Sequence, residues 1–368
     1  MPRKQRVLVH HIGSLGDTIV TMPGLRMVRR KYGDTAVITL LSNLAPAEIV
    51  KSSDVLEGSG LVDDYLEYRL DSGKLPMLKS IAKLWLMLVA RRFDTVVYLM
   101  ESERTAKNVK RDESFYKLCG IRERLGFEAF PREYLFPRDA NGFPGRVTHE
   151  AVRRAQRIGK YGLGPVTESD FDEPFLVAPD MDRSAAVAWL KLKRQAPDKV
   201  LVGFCPGTKM PSKRWPLERF AEIGKRLVED GRFEIVIVGG PADKAAGNAL
   251  IEEWGVGLNA AGAFSVMGSA ALLHQCKFVV SVDSGPMHLA AVGGVPCVAI
   301  FGSLDYPGRF SPLGRHHVVL RHGDLPCAAC RLTDCPVPGH PCMTGITVDE
   351  VWQGVRKVCD VIGEPIAK

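Results

Sequence analysis

Three short runs carry the residues that can do chemistry. The first is Ile12-Gly13-Ser14-Leu15-Gly16-Asp17, which sets a carboxylate immediately behind Gly16. Glycines at such a turn let the backbone approach a ligand closely, and a helix opening there offers N–H groups to an anion. A carboxylate in that place serves either as a general base toward a hydroxyl or as a helix N-cap, and the local sequence leaves both open. The run lacks the G-x-G-x-x-G spacing and no acidic residue ends the next predicted strand, so a nicotinamide dinucleotide loses support.

The second run spans Pro206-Gly207-Thr208-Lys209 and continues through Ser212-Lys213-Arg214-Trp215-Pro216. Lysines, a threonine and backbone N–H groups at a strand-to-helix turn make a seat for a diphosphate, with a basic surface turn as the plainer reading. It is not a Walker A loop, because the G-x-x-x-x-G-K spacing is absent. The third run is Asp283-Ser284-Gly285-Pro286-Met287-His288, followed by Gly294-Val295-Pro296 and Phe301-Gly302. It places a carboxylate, a hydroxyl and a glycine at a strand end, with His288 in the first turn of the helix that follows. Such a helix start suits the oxygens of a departing phosphate.

A fourth feature is the set Cys327, Cys330, Cys335 and Cys342, held in a Pro- and Gly-rich stretch with His322 and His340 nearby. Four thiolates at these spacings can close a tetrahedral zinc or iron site of structural type, although the paired C-x2-C pattern of a zinc ribbon is missing. Reduced loop thiols are the competing reading. Cys119, Cys205, Cys276, Cys297 and Cys359 are scattered in apolar or mixed settings and read as reduced structural thiols.

The elements that must hold these runs alternate strand and helix. Strand Val7 to His10 precedes the first run, and a helix starts near Asp17. A second strand covers Ala36 to Leu41, helical periodicity runs from about Leu75 to Arg92, and a buried-type strand covers Thr95 to Leu99. From Glu101 to Arg146 the chain is polar, basic and irregular, with a helix near Glu113 to Cys119, and a helix from His149 to Tyr161 follows. Strands at Val200 to Phe204, Glu234 to Val238, Phe278 to Val282 and Cys297 to Phe301 repeat the pattern, with a helix at Leu217 to Asp230. The expected class is α/β, with parallel sheets and ligands at the carboxyl ends of their strands. Gly162 to Asp182 reads as the linker. The expected division is a domain over residues 1–175, a linker and helix over 176–198, and a domain over 199–368. The last helix is free, on this reading, to pack back on the first domain.

At 368 residues, with 46% hydrophobic and 25% charged content, the chain is an ordinary globular protein long enough for two cores. Met1 to Arg6 carries no signal-peptide core, and no apolar run approaches the roughly 20 residues a membrane span needs. The expected location is therefore cytoplasmic. The net charge of +7 concentrates in clusters at Arg26, Arg29, Arg30 and Lys31, at Arg104, Lys107, Lys110 and Arg111, and at Arg153, Arg154, Arg157 and Lys160. These read as solvated helix faces singly, and together as a surface for an anionic partner such as a phosphorylated glycolipid or the membrane itself. Nucleic acid is not expected, because no aromatic-interleaved basic motif accompanies the charge.

In order and spacing, the three runs resemble glycosyltransferase family 9, the family of the ADP-heptose:lipopolysaccharide heptosyltransferases. The first run with Pro23-Gly24-Leu25, the block Lys213-Arg214-Trp215-Pro216 and the block Asp283 to His288 carry the resemblance over nearly the whole chain. It implies the GT-B architecture, two Rossmann-like domains facing across a cleft, and inverting transfer of heptose or a related sugar from a nucleotide diphosphate-sugar. Asp17 is then the catalytic base and Lys213 neutralises the leaving diphosphate. The implied donor contacts are Gly16, Thr208, Lys209, Asp243, Asp283, Ser284, Gly285 and His288. No cofactor is implied for catalysis. Arg104, Lys107, Lys110 and Arg111 are the expected contacts for a lipopolysaccharide core or other anionic surface glycan, with peripheral contact at the inner membrane. Two alternatives stand beside it: a sugar-nucleotide epimerase of the same architecture, and a non-catalytic metal-binding or redox protein built on the cysteine cluster. The triplets Asp170-Phe171-Asp172 and Asp180-Met181-Asp182 fall in the expected linker and are discounted as metal sites.

Overall fold

The computed structural model describes residues 3–43 and 50–366. Met1 and Pro2, at the head of the segment read for a targeting signal, lie outside the described residues. The chain forms two compact units. The first comprises residues 1–135 and 148–167, the second residues 136–147 and 168–368.

The first unit holds strands β1 (Gln5–His10), β2 (Ala36–Asn43), β3 (Asp64–Tyr68), β4 (Thr95–Tyr98) and β5 (Glu123–Leu125). Its helices are α1 (Leu15–Tyr32), α2 (Ser53–Leu56), α3 (Lys74–Arg91), α4 (Ala106–Leu118), α5 (Arg132–Leu135) and α6 (Glu150–Ile158). The strands pair in parallel in the order β3-β2-β1-β4-β5. The order reverses at β1, so the carboxyl ends of β1 and β4 flank the sheet's switch point, where open α/β sheets bind ligands. Leu8, Leu41, Leu66, Val96 and Tyr116 build one side of the core together with Leu84 and Leu88 of α3. Strand β3 carries little sequence signal, because its alternation of Asp64, Tyr65, Leu66, Glu67 and Tyr68 buries only Leu66. Helix α4 likewise begins earlier than its apolar residues suggest, at a cap where Thr105 accepts the Asn108 N–H, and so takes in the basic cluster.

The second unit holds β6 (Val200–Cys205), β7 (Phe233–Ile237), β8 (Leu258–Asn259), β9 (Phe278–Val282), β10 (Cys297–Phe301) and β11 (Val318–Arg321). Its helices are α7 (Asp180–Lys193), α8 (Leu217–Asp230), α9 (Lys244–Trp254), α10 (Val266–Leu273), α11 (Gly285–Val292), α12 (Pro341–Thr344) and α13 (Val348–Val361). The parallel order is β11-β10-β9-β6-β7-β8, with the switch point between β6 and β9. The second and third sequence runs begin at the carboxyl ends of those two strands.

The stretch read as a linker is partly core. Phe171, Leu176 and Ala178 are buried, and the Phe175 and Leu176 N–H groups donate to the Val292 carbonyl. The segment Phe136 to Val147 belongs to the second unit, where the Val147 N–H donates to Pro307 and the Phe136 ring packs 5.6 Å from that of Tyr306. The closing helix α13 packs on its own unit's sheet, burying Val351, Val355, Val358 and Cys359 beside Val298 and Ile300. Both acidic triplets are tied into the fold. Asp172 pairs with Arg315, and Asp182, in the first turn of α7, accepts the Ser265 hydroxyl.

Candidate active site

The first unit's candidate centre sits where β1 gives way to α1. Gly13 has φ +155°, and a Cβ there would fall 2.2 Å from the Asp17 Cβ, so only glycine admits the carboxylate to this turn. The helix N-cap is Ser14, not Asp17. Asp17 lies at the third helical position and reaches back. Its Oδ2 accepts the Ser14 N–H at 3.0 Å and the Ser14 hydroxyl at 3.1 Å. Its other oxygen, Oδ1, faces the Arg154 guanidinium, whose Nη2 lies 3.2 Å away. Burial pushes the Asp17 carboxyl up, but Arg154 and the Ser14 hydrogen bonds outweigh it and hold the group below the usual carboxylate range.

Arg154 corrects the reading of the third basic cluster. Arg153, Arg154 and Arg157 are buried rather than spread on a solvated helix face, and Lys160 pairs with Glu128. The Arg154 side chain has no exposed surface and is fully engaged. Nε donates to Glu150 Oε1 at 3.0 Å, and Nη1 donates to the Asp17 carbonyl at 3.1 Å and the Thr21 hydroxyl at 2.5 Å. Glu150, equally buried, accepts the Ser102 N–H and hydroxyl, each at 2.7 Å. A continuous polar ladder therefore runs from the loop after β4, through Glu150 and Arg154, to Asp17. Arg157 braces the same loop by donating to the Met100, Glu101 and Ser102 carbonyls. His11, beside Arg154, hydrogen-bonds Thr21 and Thr18; burial first and then Arg154 push its imidazole down to about 3, so it is neutral near pH 7. Burial brings His10 down to about 4. Sequence reasoning missed Arg154 and Glu150 because they lie over 130 residues from Asp17. The available signal was that both sit on one helix with a spacing of four.

The four cations expected to contact an acceptor divide into two pairs. Arg104 and Arg111 both pair with Asp112, and Arg104 also donates to the Tyr98 hydroxyl at 3.2 Å. Lys107 and Lys110 are exposed on α4.

In the second unit the loops after β6 and β9 bring two predicted residues together, with Lys213 Nζ lying 2.7 Å from Asp283 Oδ2. Ser284 caps α11, its hydroxyl 3.2 Å from that of Ser281, while Gly285 opens the helix and His288 is buried in it. The Thr208 hydroxyl accepts the Met210 N–H, and Lys209 lies in the same turn. Asp243 accepts the Gly240 N–H at 2.8 Å. A Cβ on Gly207 would fall 2.0 Å from Asp243 Oδ1, and one on Gly239 would fall 2.5 Å from its Oδ2. The bare backbones of two loops thus make room for this carboxylate. A pocket of about 470 Å³ opens beside Asp283, with Arg146, Asp305, Tyr306, His317 and Arg321 in its wall. Burial pushes His317 down to about 4 and lowers Arg321. None of these five was singled out from sequence, since they come from loops and an edge strand without a motif.

Cys327, Cys330, Cys335 and Cys342 line one void of about 40 Å³ with Ser212 and His340. The Ser212 hydroxyl is buried there with no hydrogen-bond partner among the described residues. Burial raises the Cys342 thiol above its usual value. The donor set fits a thiophilic ion. Among the described residues, however, no three His, Cys, Asp or Glu side chains stand together as a ligand set. The same stretch braces the Lys213 turn, since the Ser212 N–H donates to Thr333 and its carbonyl lies 3.1 Å from His340 Nε2.

The family model of glycosyltransferase family 9 (heptosyltransferase) matches residues 117–340. Lipopolysaccharide heptosyltransferase 2 of Escherichia coli (strain K12) is 35% identical over 130 residues, which is 34% of this chain and 37% of that protein. The chain thus spans little more than a third of the length of this relative. Among solved structures, the glycosyl transferase family 9 protein from Veillonella parvula DSM 2008 aligns at TM-score 0.72 and 22% identity, covering 97% of this chain and 98% of that one. The E. coli ADP-heptose lps heptosyltransferase II aligns at TM-score 0.65 and 20% identity, covering 96% and 98%. The likeness extends over both units and shows the GT-B fold of two Rossmann-like domains.

Proposed function

The chain belongs to glycosyltransferase family 9, and from that membership and the geometry of the two centres we propose that it is an inverting sugar transferase. In this reading it moves heptose or a related sugar from a nucleotide diphosphate, ADP-heptose as for the E. coli structural relative, to a lipopolysaccharide core or other surface glycan. The observation that carries the proposal is Asp17. It is a carboxylate at a switch-point turn, kept ionised by a buried arginine and aimed by Ser14. Asp17 takes the proton of the acceptor hydroxyl as that oxygen attacks the anomeric carbon. The bond from that carbon to the β-phosphate oxygen breaks, and the sugar inverts. Charge growing on the departing diphosphate is met by Lys213, with Thr208 and Lys209 in the same loop, and by the start of α11 at Ser284, Gly285 and His288. Asp243, in its glycine cradle, faces the nucleoside, and Asp283 holds the Lys213 ammonium in place. The pocket beside Asp283 falls in the range that takes a ligand of this class.

The acceptor is taken to be an anionic glycolipid, met at the inner face of the cytoplasmic membrane, with the exposed Lys107 and Lys110 as its first contacts. The four clustered cysteines are proposed to hold a structural zinc or iron that no step of the transfer passes through.

The test is transfer of radiolabelled sugar from ADP-heptose to heptose-deficient lipopolysaccharide, with the anomeric configuration of the product read by NMR. The expected result is inversion by the unmodified protein and loss of at least 100-fold in kcat for Asp17→Asn, the scale of a lost general base. Consumption of the donor with no acceptor present overturns the proposal in favour of an epimerase.

A further inference from the structure

Helix α3 of the first unit buries only Leu84 and Leu88 fully. Several of its exposed apolar residues share another face, while Met77, Ile81, Met87 and Ala90 lie outside it. Leu75, Leu78, Ala82, Trp85, Leu86 and Val89 recur every three or four positions and so form one stripe about 100° wide along the helix. This stripe faces solvent, with Leu75 72% exposed and Leu78 and Leu86 each 60% exposed. The patch is extended by Leu118 at the end of α4, 74% exposed, whose carbonyl accepts the Trp85 indole N–H at 3.1 Å. Isolated exposed leucines are ordinary on a protein surface, but a continuous row of them along one helix marks a contact face.

The charge around the stripe says what the contact is. From Lys74 to Arg91 the helix contains no Asp or Glu. Lys79 and Lys83 lie along one border of the stripe and Lys74 near the other, and none of the three has an ion-pair partner among the described residues. The nearby carboxylates are taken, with Asp71 paired to Arg69 and bonded to Ser80, and Asp64 paired to Arg91. An apolar stripe bordered by uncompensated lysines on long flexible stems is the pattern of a helix that lies in the headgroup layer of a bilayer. A second copy of the chain is the wrong partner, because pairing stripe to stripe would set the same lysines against each other with no carboxylate to answer them.

We propose that α3 is an interfacial anchor whose Leu75–Val89 stripe seats the first unit on an anionic lipid surface. This deepens the acceptor reading by naming the surface that would bring a membrane-borne acceptor to the protein, but it rests on the helix alone and not on the identity of the sugar.

The experiment is flotation of the full chain with vesicles of phosphatidylcholine alone or of phosphatidylcholine mixed with phosphatidylglycerol. The unmodified chain is expected to float with the anionic vesicles and to stay behind with the neutral ones. The variant Leu75→Ser/Leu78→Ser/Leu86→Ser, whose changes are all at exposed positions, should keep the melting temperature and lose the binding. Lys79→Gln/Lys83→Gln should weaken binding about fivefold per lysine, and added salt should mimic it. Transfer to a soluble acceptor fragment should be unchanged in both variants, so failure of the transferase reading and failure of the anchor are separable. The anchor is overturned if the serine variant floats as well as the unmodified chain, or if binding ignores the phosphatidylglycerol. It is equally overturned if sedimentation shows the stripe pairing two chains while vesicles go unbound.

Discussion

Replacing Arg154 with methionine tests the polar ladder directly. The side chain has no solvent exposure and stands between two carboxylates, Asp17 at 3.2 Å and Glu150 at 3.0 Å. Two consequences follow, at different sites. The first is stability. Glu150 is as buried as Arg154, and removing the guanidinium takes away its 3.0 Å ion-pair partner, which by analogy with broken buried pairs costs about 3–5 kcal/mol. That is a large share of a typical domain's stability, so the single variant is expected to melt much earlier, and Arg154→Met/Glu150→Gln should recover part of the loss. The second is the protonation of Asp17. Burial favours its neutral form, and Arg154 is the strongest of the effects that oppose it. With the cation gone the carboxyl should titrate about 1–3 pH units higher, the usual effect of an opposite charge at this range. Because the base must be ionised, the acid limb of kcat/KM against pH should move toward alkaline pH by that amount in the folded double variant. A folded double variant whose acid limb coincides with that of the unmodified protein would refute the claim that Arg154 sets the charge of Asp17. The same linkage has a sign for stability. The folded value of Asp17 lies below its unfolded one near 3.9, so it stabilises the fold above that pH, and the contribution fades as pH falls through the folded value.

Lys213→Ala should lower kcat about 100-fold or more by removing the cation proposed to face the departing diphosphate, and should also weaken the thermal shift produced by a nucleoside diphosphate, because Asp283 loses its partner 2.7 Å away. Gly224→Ala on α8 would drive its Cβ to 2.0 Å from the Trp254 ring, which should cost about 1–3 kcal/mol, read as a lower melting temperature with little change in KM. If the four clustered cysteines hold a metal, elemental analysis of protein purified without chelator should find one zinc or iron per chain, lost in Cys327→Ser/Cys330→Ser. Metal-free protein with intramolecular disulfides among these thiols would refute that reading.

Much of this molecule was legible from local pattern. The strands Phe278–Val282 and Cys297–Phe301 and the helix Leu217–Asp230 are found at the residues the apolar runs and caps indicated. Such strands are buried on both faces, so their composition is dictated locally by the sheet. The Gly13 to Asp17 turn and the Gly207 and Asp283 loops were also readable, because a chain passing a ligand or a carboxylate at close range can use little except glycine there. Strand β3 was hidden because only Leu66 faces the core.

What the sequence determined by itself is therefore the alternation of strand and helix, the family, and the residue types placed at the strand ends. Only the tertiary structure decided what those residues are bonded to. It turned an apparently solvated cluster at Arg153 to Arg157 into buried support for Asp17 and the β4 loop, and it engaged Arg104 and Arg111 with Asp112. It left the α3 stripe facing water although the stripe's composition resembles a core. The reason is physical. Helical periodicity tells which residues share a face, but whether that face is covered, and which distant charge answers a given carboxylate, depends on neighbours brought in from elsewhere in the chain.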